Sequence, residues 1–277
     1  MVKPYIDFHK THRADDDKVM SINRNPNEKW DEFYKTHESS FFKDRQWLGL
    51  EFPILLEILN QQSQITLLEV GCGAGNSIFP LVESNQNLSL NLHGSDYSYQ
   101  AIEVVKSNEL YKNPPCGNVS ASVWDLSDPS TDNLPLEQNS VDCLLMIFVL
   151  SALHPNQFKT AIDNAHMVSF VNSLQFSLLI NTLIQLLKPG GKILFRDYGR
   201  YDLTQIRMKK QRYLQDNFYC RGDGTRVYFF ELDELNDLFT SNGFKVESSS
   251  TDRRLIINRK EEKKMYRVWQ QAIYIKQ

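Results

Sequence analysis

"LLEVGCGAGNSIFPLVE", residues 67–83, runs as an apolar strand, breaks into glycines, and resumes with apolar residues at helical spacing. Strand, glycine-rich turn and helix in that order open an α/β sheet, in which ligands bind beyond the carboxyl ends of the strands and glycine lets the backbone approach them closely. Gly71, Gly73 and Gly75 occupy the turn. Alone they are weak evidence, because tight strand-to-helix packing can also demand glycine. The rest of the chain supplies the context. From Ile65 onward, "ITLLEV", "LSLNLHGSD", "VSASVWD", "VDCLLMIFVL", "GKILFRDYG" and "RVWQQAIYIKQ" read as strands. They alternate with helical segments such as "SYQAIEVVKSNEL" and "ELDELNDLFTSNGF", and "LKPGGK" reads as a helix stop and a tight turn. That alternation predicts βαβ units and a mainly parallel sheet.

Two acids follow the turn. Asp96 closes the second strand, where a carboxylate can take both hydroxyls of a ribose, and Asp125 closes the third, where it can accept from an adenine amino group. Acids at successive strand ends suit a nucleoside that carries positive charge and no phosphate. The pattern E-x-G-x-G-x-G from Glu69 to Gly75, with those two acids, resembles the class I methyltransferases that bind S-adenosylmethionine. NAD enzymes instead carry GxGxxG with a pyrophosphate on the helix N-terminus.

Composition narrows the remaining classes. With 277 residues, 41% apolar and 12% aromatic, the chain can bury a large core. The N-terminus has no apolar stretch of signal-peptide length. The longest apolar run, "CLLMIFVL" at 143–150, is far short of the ~20 residues that span a bilayer. The expectation is a soluble protein of the cytoplasm, with the nucleus as a second compartment. Cys72, Cys116, Cys143 and Cys220 form no CxxC pair and no cluster with histidine, so neither disulfides nor a metal are expected. A net charge of −3 argues against indiscriminate nucleic-acid binding. The basic patches "RMKKQR" (207–212) and "NRKEEKKMYR" (258–267) read by default as solvated helix faces.

Four further stretches have no role in a generic cofactor fold: "KWDEFYKTHESSFFKDRQWL" (29–48), "MIFVLSALHP" (146–155), "ILFRDYGRYDLTQIRMK" (193–209) and "NFYCRGDGTRVYFF" (217–230). Together they resemble the eukaryotic tRNA N(3)-methylcytidine methyltransferases, which act on the anticodon loop, at position 32, of serine and threonine tRNAs. The resemblance implies a Rossmann-like class I methyltransferase, with a seven-strand, mainly parallel sheet and helices on both faces. It implies an N-terminal extension (1–45) folding over the cofactor site of a domain spanning 46–277. Cofactor contacts are implied at Trp30, Tyr34, Glu69, Gly71, Gly73, Asp96, Asp125, Leu126 and Ile147. Contacts with tRNA are implied at Lys43, Arg45, Arg196, Arg221 and Arg226, and a seryl-tRNA synthetase stays open as a helper.

The chemistry asks little of the protein. N3 of cytosine has an in-plane lone pair and no proton to lose, so it attacks a sulfonium methyl once held in line, without a general base. His154 therefore reads as a loop histidine. N3 lies on the Watson–Crick edge, so the base must be splayed into a pocket. A fixed carboxylate would stabilise the cationic ring that forms, and Asp197 is the expected catalytic group; an ion pair with Arg196 or a helix cap is its structural alternative. Phe148, Tyr198 and Tyr219 are candidates for stacking on the base, though each also suits the core. "RGDGTR" is a hairpin signal, expected to set Arg221 and Arg226 at its base on phosphates.

One segment departs from the family. From 156 to 187 the chain is about twice the ~14 residues of an ordinary helix. The excess, "AHMVSFVNSLQFSLLIN" at 165–181, is apolar without helical period, and Val168-Ser169 is what an in-frame splice donor encodes. A translated intron is the reading, with a lengthened helix or loop as its rival. Two other functions stay open: a methyltransferase acting on a protein or small molecule, and a non-catalytic subunit that keeps the fold.

Overall fold

The structure is a computed structural model that describes residues 2–37, 41–127, 134–155, 183, 185–258 and 263–277. The stretch 165–181 lies outside the described residues. In chain order the first helices are α1 (Lys3–Thr11), α2 (Asp16–Arg24), α3 (Pro26–His37), α4 (Leu48–Glu51) and α5 (Ile54–Asn60). Then come β1 (Ile65–Val70), α6 (Ile78–Ser84), β2 (Leu90–Asp96), α7 (Tyr99–Ser107), α8 (Glu109–Lys112), β3 (Asn118–Val123) and β4 (Val141–Ile147). After a 3₁₀ turn at Leu150–Ala152 come β5 (Leu187–Tyr198), the helix Leu203–Ile206, and β6 (Tyr213–Gln215), β7 (Phe218–Cys220) and β8 (Arg226–Tyr228). The helix Leu232–Thr240 and the strands β9 (Phe244–Asn258) and β10 (Lys263–Lys276) complete the chain. The seven-stranded sheet has the order β3-β2-β1-β4-β5-β10-β9, and β6-β7-β8 form a small second sheet.

The chain divides into two compact units, one of residues 30–146, 181–194 and 275–277, the other of 1–29, 147–180 and 195–274. In the first, β1 is flanked in parallel by β2 and β4, with Leu67 opposite both Leu92 and Cys143. Leu67, Leu68 and Val70 are wholly buried, as expected of an inner parallel strand covered on both faces. Ser98 starts α7 by accepting the Ala101 N–H at 3.2 Å, and its hydroxyl donates to Asp31 at 2.6 Å. Phe33 and Tyr34 of α3 pack on Ala74 and Ala101.

In the second unit, Phe195, Phe239 and Tyr274 make an aromatic core, the last two stacked at 4.0 Å. Glu231 and Glu234 form a capping box that starts the helix Leu232–Thr240, and Gly243, at φ +84°, stands two residues beyond its C-cap Ser241. The "RGDGTR" hairpin is present, with Cys220 opposite Arg226 in antiparallel register. Here the N-terminal residues pack on the small sheet: Ala14 N–H donates to Tyr213 O at 2.9 Å and Gln211 N–H to His12 O at 2.8 Å. The expected extension over 1–45 is thus divided between the units at Lys29/Trp30.

Candidate active site

The glycine turn follows β1 directly. Gly71, Gly73 and Gly75 all take positive φ, and a side chain on Gly73 would meet the Tyr34 hydroxyl at 2.3 Å. Trp30 stacks parallel to Tyr34 at 5.9 Å, one turn earlier on α3. Asp96 is buried, and each of its oxygens accepts one backbone N–H: Oδ2 from Gly73 and Oδ1 from Ser98, both at 2.9 Å. Each oxygen keeps a second lone pair for a ligand hydroxyl. Burial pushes the Asp96 carboxyl up to about 6, against those two hydrogen bonds. Asp125, exposed two residues past β3, turns Oδ1 onto the Ser127 N–H and hydroxyl at 2.8 and 2.7 Å, while Leu126 beside it is buried.

Glu69 is wholly enclosed. Its Oε1 accepts from Ser77 Oγ at 2.6 Å and from Arg45 at 3.1 Å, whereas Oε2 has no hydrogen-bond partner among the described residues. Burial pushes the carboxyl up to about 7, against the Arg45 charge and the Ser77 hydroxyl. Arg45, expected on tRNA, turns its guanidinium onto Glu69 and Ser77 within the unit that carries the turn. Lys43 is exposed. Buried carboxylates around the glycine turn, one oxygen unpartnered among the described residues, suit a cationic nucleoside better than a phosphate.

The linkage gives a test. Glu69 titrates near 7 folded and near its ordinary 4.5 unfolded, so its contribution to stability is complete below 4.5 and lost as pH rises through 7. The unfolding free energy of the wild type minus that of Glu69→Gln should therefore grow as pH falls from about 7 to about 4.5. Denaturant melts that give a pH-independent difference would remove the shift.

The other unit carries the remaining candidates. Ile147 ends β4 and is buried. Phe148, next in sequence, takes φ +61°, a conformation that costs a bulky side chain about 1–2 kcal/mol and clusters at functional sites. Its N–H donates to Arg196 O at 2.8 Å, and its half-buried ring lies 5.0 Å from that of Tyr198. Asp197 has no exposed surface: Oδ2 accepts the Ser151 N–H at 2.9 Å and Oδ1 the Tyr198 N–H at 2.8 Å. The expected carboxylate facing a base is instead a buried group holding the 148–153 loop. Burial raises its pKa to about 6, against those hydrogen bonds and the Arg221 charge.

Its neighbour Arg196 pairs with Asp252 at 2.5 Å and with Gln271, and lies over Trp269 at 4.6 Å. It is 3% exposed, which leaves no surface for its expected role on tRNA, and the acid it pairs with is Asp252. Arg226 is likewise buried, with Nε on Ala152 O at 3.2 Å and a second nitrogen on Asn23 Oδ1 at 3.4 Å, so it braces the hairpin rather than reaching for phosphate. Arg221 is only half-buried and lies over the Tyr198 ring at 5.3 Å. Tyr219 is core, bonded to His9 at 3.2 Å. Burial and then Arg226 push the His154 pKa down to about 4, leaving a neutral ring against Phe218. Among the described residues no group of three metal-ligating side chains occurs, and no helix is long and apolar enough to cross a membrane.

Fold and turn define a Rossmann-like methyltransferase, and the family model described as "Methyltransferase domain" matches residues 44–249. Among solved structures, a SAM-dependent methyltransferase from Methanosarcina mazei is similar at TM-score 0.56 and 18% identity, over 81% of this chain and 97% of that one. The magnesium protoporphyrin IX methyltransferase of Synechocystis, with bound SAH, is similar at 0.55 and 13%, over 95% and 100%. Curated relatives are nearer in sequence. The tRNA N(3)-methylcytidine methyltransferase trm140 of Schizosaccharomyces pombe is 47% identical over 91% of this chain and 75% of its own length. The tRNA N(3)-cytidine methyltransferase METTL2 of Danio rerio is 41% identical over 94% and 76%. The tRNA(Thr) (cytosine(32)-N(3))-methyltransferase of Saccharomyces cerevisiae is 48% identical over 91%, but this chain spans only 37% of that protein. The chain belongs to the methyltransferase domain family, in the branch of the tRNA N(3)-cytidine methyltransferases.

Proposed function

We propose that the protein transfers a methyl group to N3 of cytosine 32 in the anticodon loop of threonine or serine tRNA. The observation that carries this reading is the 47% identity, over 91% of the chain, to a relative named for 3-methylcytidine formation. The acid-flanked glycine turn supports S-adenosylmethionine as donor: when bound it supplies a sulfonium methyl open to in-line attack by the cytosine lone pair. Asp96 holds the ribose, Gly71 and Gly73 admit the ligand to the backbone, and Trp30 and Tyr34 wall it. The negative charge of Asp96 favours a cationic ligand. The half-buried pair Phe148 and Tyr198 receives the unstacked pyrimidine, as aromatic faces receive bases in single-stranded RNA. No residue need remove a proton, and His154 is held neutral by burial and by the charge of Arg226. Asp197 acts through the loop that carries Phe148 and is a positioning residue.

The experiment is nucleoside mass spectrometry of unmodified threonine and serine tRNA transcripts incubated with the protein and S-adenosylmethionine. 3-Methylcytidine should appear in wild-type transcripts and be absent when residue 32 is uridine. No methylated nucleoside in any tRNA, from a folded protein that binds the cofactor, would overturn the assignment.

A further inference from the structure

β9 and β10 hold 15 and 14 residues, against six or seven in β1–β4. Toward the sheet β10 is enclosed, with Val268, Trp269 and Gln270 buried in succession, whereas β9, the edge strand, buries Phe244 and leaves Lys245, Glu247, Ser248 and Ser250 exposed. Beyond Asp252 and Arg267 both faces open. Arg253, Arg254, Leu255, Ile256 and Ile257 are exposed consecutively, and Lys264 and Tyr266 on β10 are exposed as well. Strand residues alternate faces, so five exposed in a row mean that neither face is covered over about 15 Å. Leu255 is 46% exposed, Ile257 54% and Tyr266 64%. The described residues of the basic stretch, Asn258 and 263–267, lie on strands rather than on a solvated helix face.

Charge says what would cover it. The described residues 252–258 and 263–267 hold five Lys or Arg against one acid, a net +4 in a chain of formal charge −3. Arg267 turns back onto Asp202 at 2.8 Å and Arg254 onto Asp252 at 2.9 Å, while Arg253 and Lys264 stand in solvent beside the apolar residues. A narrow two-stranded ribbon carrying cations next to Ile, Leu and Tyr matches a polyanion with apolar sugar edges. It matches poorly an apolar protein groove, which would have to leave those charges unpaired.

We propose that this hairpin arm binds the sugar–phosphate backbone of the tRNA's helical stem, outside the loop that carries the target base. The proposal rests on the tRNA reading above. The test is the double charge reversal Arg253→Glu/Lys264→Glu in the full chain, with a threonine tRNA transcript and a single-stranded oligonucleotide of the anticodon loop as probes. Binding of the tRNA should weaken at least tenfold, and the slope of log affinity against log salt should shrink by about two. KM for tRNA should rise while kcat, melting temperature and cofactor affinity hold, and the loop oligonucleotide should bind both proteins equally. Wild-type tRNA affinity in the variant overturns the proposal and leaves the arm to a protein partner. An equal loss on the oligonucleotide overturns the stem assignment. If the wild type itself neither binds nor methylates tRNA, the functional reading fails instead.

Discussion

Asp96→Ala weakens S-adenosylmethionine binding about tenfold to a hundredfold, the ~1.5–3 kcal/mol of charge-assisted hydrogen bonds lost. Two effects coincide: the ribose loses its acceptor, and the Gly73 and Ser98 N–H groups, each 2.9 Å from a carboxylate oxygen, lose theirs. Asp96→Asn separates them, because the amide keeps the shape and one acceptor but no charge. The pH profile isolates the charge. With Asp96 titrating near 6, wild-type affinity should fall by up to tenfold per unit below pH 6, as the neutral acid gives up its hold on a cationic ligand. Asp96→Asn should lack that component. Calorimetry from pH 5 to 8 measures both; an unchanged dissociation constant in folded Asp96→Ala would remove the residue from the site.

Asp197→Asn lowers the single-turnover rate about a hundredfold and also lowers stability. An amide cannot accept both the Ser151 and the Tyr198 N–H, so one buried donor is orphaned at a cost of ~1–3 kcal/mol, or several degrees of melting temperature. The loop that sets Phe148 loosens, and a misplaced acceptor base costs rate out of proportion to the fraction unfolded. The pH profile distinguishes positioning from simple support. Under saturating cofactor, the wild-type rate should fall below pH 6 as Asp197 protonates, whereas the Asn variant should not share that limb. A variant that melts lower yet turns over at the wild-type rate would leave Asp197 a purely structural group.

Much of the cofactor half was legible from sequence because its signals are local. β1 is found at 65–70 as read, the glycines fall in the turn that follows it, and Asp96 ends β2. Long-range partners were not legible. Nothing near Arg45 announces Glu69, 24 residues away, although Ser77, eight residues beyond Glu69 at the start of α6, is the kind of residue that could serve a buried acid there. Arg196 is turned inward by Asp252, 56 residues on. That aspartate lies on β9, a strand missed because "ESSSTDRR" (247–254) shows no apolar alternation at the edge of the sheet. β6 was missed at three residues, too short to carry a period. In the "RGDGTR" hairpin the turn could be read, but which of its two arginines faces water could not: Arg226 is enclosed and Arg221 half-open.

The left-handed backbone at Phe148 has a bearing on any attempt to harden this protein against heat. Glycine and asparagine adopt φ near +60° at little cost, so either would relieve the strain held at 148, and a library screened by survival alone would enrich them. On the proposed function such clones would be sturdier and slower, because the same exchange removes the ring assigned to the base. Position 148 is therefore one to hold fixed while the rest of the chain is varied.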